Sequence, residues 1–183
     1  MNNQQLAYVL YGASNTGKTS ALRFFAQKLD QISTLVAGGI ESDYDFSVVF
    51  ELKGKRIGVI TAGDDEASMV EGFELIDKHN CEIVFCASRT KGQTTDFLYT
   101  RYQEEQFRWV SNMFIYNVEQ QQINKCKESV ANFMYESLLV SFAHNKQFKS
   151  DSARLAFLVW VKFSDYGVQF EYRGRVAHPL IGR

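Results

Sequence analysis

Eight residues near the start of the chain, Gly12-Ala13-Ser14-Asn15-Thr16-Gly17-Lys18-Thr19, have the types and spacing to hold a polyphosphate. Gly12 and Gly17 allow the backbone to wrap tightly and approach phosphate oxygens. A backbone wrapped this way turns successive N–H groups inward and makes an anion-binding concavity. A helix starting at Lys18 adds its free N–H groups and the positive end of its dipole. Lys18 supplies a mobile positive charge for the outer phosphates. The Thr19 hydroxyl is an oxygen ligand suited to Mg²⁺, and the Ser20 hydroxyl can approach the innermost phosphate. The chemistry this set supports is the binding of a nucleoside triphosphate together with Mg²⁺.

A Mg²⁺ ion held against phosphates calls for an acidic group as well. Residues 56–65 read RIGVITAGDD, an apolar strand ending in Thr61 with acids following at Asp64 and Asp65. Two roles compete for each acid. It can hold a Mg²⁺-bound water, or it can cap a helix beginning near Glu66. One acid can cap while the other serves the metal. Glu66 is a third candidate, as a base that positions water. Beyond the strand ending at Ala87 come Ser88, Arg89 and Lys91, at the end of an α/β sheet where ligands bind. Ser88 could face the γ-phosphate. Arg89 or Lys91 could stabilise charge developing during phosphoryl transfer, or bind a phosphorylated substrate. A polar loop carrying solvated cations is the plainer alternative.

These residues need elements to position them. Leu6 to Tyr11 predicts a buried first strand, and Lys18 to Leu29 a helix with Leu22, Phe25, Ala26 and Leu29 on its apolar face. Phe46 to Leu52 and Arg56 to Thr61 are strands close enough to pair as a hairpin. Glu66 to His79 predicts a helix striped by Met69, Val70, Phe73 and Ile76. Cys81 to Ala87 is a strand apolar enough to be central. The pattern then predicts a helix over 95–110, a strand over 113–118 and a long amphipathic helix over 119–143. That last helix has Ile123, Val130, Phe133, Ser137 and Val140 near one face. The alternation of strands and helices predicts an α/β domain over 1–144, with a mostly parallel sheet flanked by helices. Residues 145–183 predict a C-terminal β-hairpin extension of the same domain. Trp160, Phe163, Tyr166, Phe170 and Tyr172 of that hairpin would cover the sheet edge or offer a surface to a protein partner or a second copy.

The segment 12–19 matches G-x-x-x-x-G-K-[ST] without departure, between a strand and an amphipathic helix. On that motif and context the chain resembles the P-loop nucleoside triphosphatase superfamily, whose Walker A it matches. The resemblance implies a parallel sheet with the loop at the carboxyl end of the first strand. It also implies a Walker B acid at a strand tip, whereas here the acids arrive later. The string TAGDDE looks like the DTAGQE switch of small GTPases, but Ile60 stands where their Asp would be. Their guanine-reading N/TKxD motif has no counterpart in CASRTKG, so ATP ranks before GTP.

The bulk numbers narrow the classes. The chain has 183 residues, 45% hydrophobic and 22% charged, with a net charge of −1, so no global field draws it to nucleic acid or acidic membranes. Arg173, Arg175 and Arg183 near the end read as solvated charge ahead of a nucleic-acid contact. The odd set Cys81, Cys86 and Cys126 has no CxxC pair and reads as buried thiols. His79, His144 and His178 lack metal-ligand spacing. No apolar run reaches bilayer length and the first residues do not read as a signal peptide, so the expected location is cytoplasmic. Three function classes remain. The first is an NTP hydrolase coupled to a partner. The second is a P-loop kinase acting on a small molecule or nucleotide, with Arg101 and Arg108 as candidate helpers. The third is a nucleotide-gated binding module with little turnover.

Overall fold

In the computed structural model, which describes residues 5–41 and 43–147, alternation of side chains governs the first strand, β1 (Leu6–Tyr11). Ala7 and Val9 join one apolar core while Tyr8 and Leu10 join another on the opposite face of the sheet. A strand buried on both faces belongs inside a sheet, and β1 has a neighbour on each side. Helix α1 (Lys18–Asp30) follows. Then come β2 (Thr34–Gly38), β3 (Ser47–Leu52), β4 (Lys55–Ile60), α2 (Glu66–Lys78), β5 (Ile83–Ser88), α3 (Gln93–Arg101), β6 (Phe107–Ser111) and α4 (Gln120–Gln147).

The six strands form one mixed sheet in the order β2-β3-β4-β5-β1-β6. β1 is parallel to β5 and to β6, and β4 is parallel to β5. β2, β3 and β4 form an antiparallel flank. The sheet is therefore mixed, its parallel half carrying β1. Helices flank both faces, as the alternating pattern predicts. One core gathers Leu22, Phe25, Ala26 and Leu29 of α1 with Met134 and Leu138 of α4, against Phe85 and Leu10. The other gathers Met69, Phe73 and Ile76 of α2 with Leu98 of α3, against Val9, Val84 and Cys86. The expected apolar face of α1 is buried as predicted. The expected hairpin forms too, turning on Lys53 and Gly54, both with positive φ, as a tight two-residue hairpin turn requires. The three cysteines are free and buried, and burial pushes the Cys81 and Cys86 thiols up to about 12.

Three expectations need correction. The helix predicted over 95–110 stops at Arg101, because Tyr102 turns extended and buries its ring against Phe73 and Phe107. Residues 107–111 then form β6, pairing with the open side of β1. Phe107, Trp109 and Val110 favour a strand, and pairing with β1 satisfies their backbone groups, so the helix-forming run 103–106 does not extend into them. With β6 in that place, the strand predicted over 113–118 does not form, and Asn117 has positive φ. The apolar stripe of α4 is also rotated. Cys126, Val130, Met134 and Leu138 are buried, whereas Phe133 and Val140 are more than half exposed, at 57% and 53%. Finally β2 adds an edge strand that its mostly exposed residues did not announce.

The chain divides into two units, Met1–Ala143 and His144–Arg183. Of the second, the described residues are the end of α4. The predicted C-terminal hairpin, with its aromatic residues and the terminal arginines, lies outside the described residues. Among the described residues no helix is long and apolar enough to cross a membrane.

Candidate functional site

Parallel pairing brings the carboxyl ends of β4, β5, β1 and β6 to one edge of the sheet. Because β3 runs antiparallel to β4, its amino end lies at that same edge. Five separated segments meet there: the glycine loop after β1, the residues before β3, and those after β4, β5 and β6.

The glycine loop wraps as its residue types dictate. Asn15 and Gly17 take positive φ, 59° and 83°, and Gly17 is the N-cap residue from which α1 starts at Lys18. Asparagine and glycine are the residues that adopt this conformation at least cost. Ala13, Ser14 and Asn15 are exposed at the rim, while Thr16 is buried. The Thr16 hydroxyl donates to the Ala13 carbonyl at 2.8 Å, closing the loop on itself. Asn112, one residue past β6, braces it from outside by donating Nδ2 to the Thr16 carbonyl at 2.8 Å. The Gly12 N–H donates to the Ser88 carbonyl, tying the loop to the end of β5.

Lys18 is 5% exposed. Its ammonium donates to the Gly12 and Ala13 carbonyls at 3.2 and 2.8 Å and stands 3.9 Å from Asp64 Oδ1. Burial holds Lys18 below the ordinary lysine value of 10.5; the Asp64 carboxylate opposes that shift, Arg89 adds to it and Asp45 opposes it. Thr19, next on α1, donates its hydroxyl to Asp45 Oδ1 at 2.9 Å. Ser20 is half-buried in the first turn of α1.

The acids divide their roles. Asp65 is the N-cap of α2, accepting the Ser68 N–H at 2.8 Å, and that backbone hydrogen bond is the main reason its carboxyl lies below the ordinary 3.8. Asp64 instead faces the loop, between Lys18 and the Arg89 guanidinium, whose Nε lies 3.4 Å from Oδ1. Its late position after the strand has a physical reason. β5 stands between β1 and β4, so an acid at the tip of β4 would be two strands away, roughly 10 Å from the loop strand. The chain crosses the end of β5 to close that distance. At Gly63 it passes so near that a methyl group there would lie 2.6 Å from the Ala87 backbone.

Glu66 is exposed on α2, beside a groove also lined by Glu71, Glu74 and Gln93, and its carboxylate forms no hydrogen bond or ion pair among the described residues. Lys91 is exposed. Ser88 is fully buried, donating to the Arg89 carbonyl and meeting the Thr94 and Thr95 hydroxyls at 3.3 and 3.4 Å. Its hydroxyl anchors the Arg89 loop to α3.

Two contributors are new relative to the sequence reading. Asp45 was hidden because it precedes a strand, yet the hairpin pattern carried the signal, since antiparallel pairing returns the start of β3 to the end of β4. Asn112 was hidden by the misplaced strand. Among the described residues no group of three or more His, Cys, Asp or Glu could hold a metal unaided. Thr19, Asp45 and Asp64 are hard oxygen donors, the chemical type that Mg²⁺ accepts. Comparison with protein-family models, curated proteins and solved structures found no match.

Proposed function

We propose that this chain is a P-loop nucleoside triphosphatase, binding ATP ahead of GTP with Mg²⁺ at residues 12–20 and hydrolysing the terminal phosphate. The observation that carries the reading is Lys18, buried at the mouth of a glycine loop that leads straight into a helix N-terminus, with the next residue's hydroxyl on a carboxylate.

In this reading the N–H groups of the loop and the first turn of α1 receive the β- and γ-phosphates. Lys18 exchanges its carbonyl partners for phosphate oxygens. Mg²⁺, when bound, would neutralise phosphate charge, with the Thr19 hydroxyl as ligand and Asp45 and Asp64 within reach of its waters. Arg89, oriented by Asp64, stabilises charge that builds on the transferred phosphoryl group. A water oxygen bonds to the γ-phosphorus as the bridging P–O bond to the β-phosphate breaks with its electron pair staying on the β-phosphate oxygen, and a water proton passes to the released phosphate, giving the diphosphate and inorganic phosphate. Asp65 caps α2, and Glu66 is assigned no part.

Among the described residues the kinase reading loses ground, because α3 and β6 are joined by residues 102–106 alone, too short for an arginine-bearing lid. The test is phosphate release from Mg·ATP and Mg·GTP by the purified chain beside Lys18→Ala. Turnover lost in the variant supports hydrolysis. Transfer seen only with an added acceptor favours the kinase. Binding without turnover favours a nucleotide-gated module, and no binding of either nucleotide rejects the proposal.

A further inference from the structure

Helix α4 carries a lysine to the phosphate loop from 109 residues further along the chain than Lys18, counted from 18 to 127. The alkyl stem of Lys127 lies across Gly17: a methyl group placed on Gly17 would stand 2.8 Å from its Cε and 3.6 Å from its Cδ and Cγ. The side chain is half-buried. Its neighbours one helical turn away, Ile123, Asn124, Val130 and Ala131, include no acid that could pair with it. Among the described residues it forms no ion pair, in contrast to Lys18 and Arg89, which share Asp64.

Charge around the loop makes this lysine matter. Lys18 and Arg89 stand against Asp64 and Asp45, two cations and two anions, so those side chains sum to zero. A triphosphate attracted to them would depend on backbone dipoles. Lys127, packed on the loop glycine and in no ion pair among the described residues, adds one positive charge to that balanced set.

We infer that Lys127 is a second phosphate-contacting cation, presented by α4 within the same chain to the polyphosphate of a bound nucleotide. The inference rests on the proposed function and adds a residue that the loop motif does not contain. It also makes α4 a part of the nucleotide site, so bound phosphates would tie that helix to the loop.

The experiment measures the affinity of the full chain for Mg·ATP, Mg·ADP and AMP, with Lys127→Met, Lys127→Arg and Lys18→Ala beside wild type, at two salt concentrations. Melting curves check that each variant is folded. Lys127→Met should weaken Mg·ATP roughly tenfold or more, as expected for losing a charge-assisted hydrogen bond. It should leave AMP nearly unchanged and make ATP binding less salt-sensitive, and Lys127→Arg should restore affinity. Wild-type affinity in Lys127→Met, with binding abolished in Lys18→Ala, overturns the inference and leaves the loop reading standing. Equal losses for ATP and AMP, or no recovery in a folded Lys127→Arg, mark a packing role and overturn it as well. Absence of nucleotide binding by wild type removes both readings together.

Discussion

Residues 12–19 run as one continuous segment from the end of β1 into α1, whereas the charged groups facing them come from four places: Asp45 before β3, Asp64 beyond β4, Arg89 beyond β5 and Lys127 on α4. The two sides of the site answer to different forces. The loop is shaped locally, by positive φ at Asn15 and Gly17 and by hydrogen bonds from Thr16 and Lys18 to carbonyls within the loop. The opposite rim exists only because the sheet is correctly ordered. Moving β4 by one strand would carry Asp64 away from Lys18. Damage to the loop should therefore abolish binding without unfolding the chain, while damage to the rim should loosen the fold and the chemistry together.

The largest expected effect tests the local side. Lys18→Ala should lower nucleotide affinity by about a hundredfold or more, as loss of a central charged donor implies, with an unchanged circular dichroism spectrum. A large fall in helicity would show that the loop is not the self-contained unit described. Next comes Gly63→Val, on the rim side. Its side chain meets the Ala87 backbone, and the variant should lose on the order of 1–3 kcal/mol in urea denaturation. It should lose turnover as well, because Asp64 is displaced. Unaltered stability would mean the crossing over β5 is not tight.

The two rim acids sharpen the contrast further. Asp64→Asn should slow turnover by about tenfold or more, the usual effect of losing a group that acts through a metal's waters. Asp45→Asn should chiefly raise the Mg²⁺ concentration needed for half-maximal rate, since it faces the Thr19 hydroxyl. Identical Mg²⁺ dependence in wild type and Asp45→Asn would remove Asp45 from the metal's surroundings.

Alkaline pH provides a measure of the coupling between the two sides. Lys18 lies below the ordinary 10.5, so its charge, and ATP affinity with it, should be lost at a lower pH than for a free lysine. Asp64→Asn removes a carboxylate that holds the proton on, and should move that loss lower still. A midpoint that stays put in Asp64→Asn would uncouple loop from rim.

The smallest effect separates the adjacent acids. Asp65→Ala should leave nucleotide affinity intact and lower the melting midpoint at neutral pH through loss of the α2 cap. Because the folded-state pKa of Asp65 is depressed, its contribution is present above the ordinary 3.8 and disappears as pH falls through the lower folded value. The gap between wild type and Asp65→Ala should close over that acid range.

Much of the local side was legible. The eight-residue motif, the start of α1 at Lys18, its buried face and the β3–β4 hairpin all follow from spacings within a dozen residues. The rim was legible in residue types but not in assignment: Asp64 and Asp65 compete for the same two roles until the path over Ala87 separates them. Errors clustered where neighbours decide. Residues 107–111, Phe-Arg-Trp-Val-Ser, carry strand-favouring side chains of their own, but the helix formers Gln103, Glu104, Glu105 and Gln106 just before them masked the boundary, and only pairing with the open side of β1 marks it. Two stripes fit the period of α4, and packing against Phe85 and its surroundings chose the one through Val130, Met134 and Leu138.

By itself, the chain's sequence determined the wrapped glycine loop and the helix that starts from it, because tight turns, glycine conformers and a helix start are properties of consecutive residues. Only the tertiary structure decided which carboxylates and cations face that loop. Asp45, Asp64, Arg89 and Lys127 converge through strand order and helix packing, and those are set by burying both faces of one sheet rather than by any spacing along the chain.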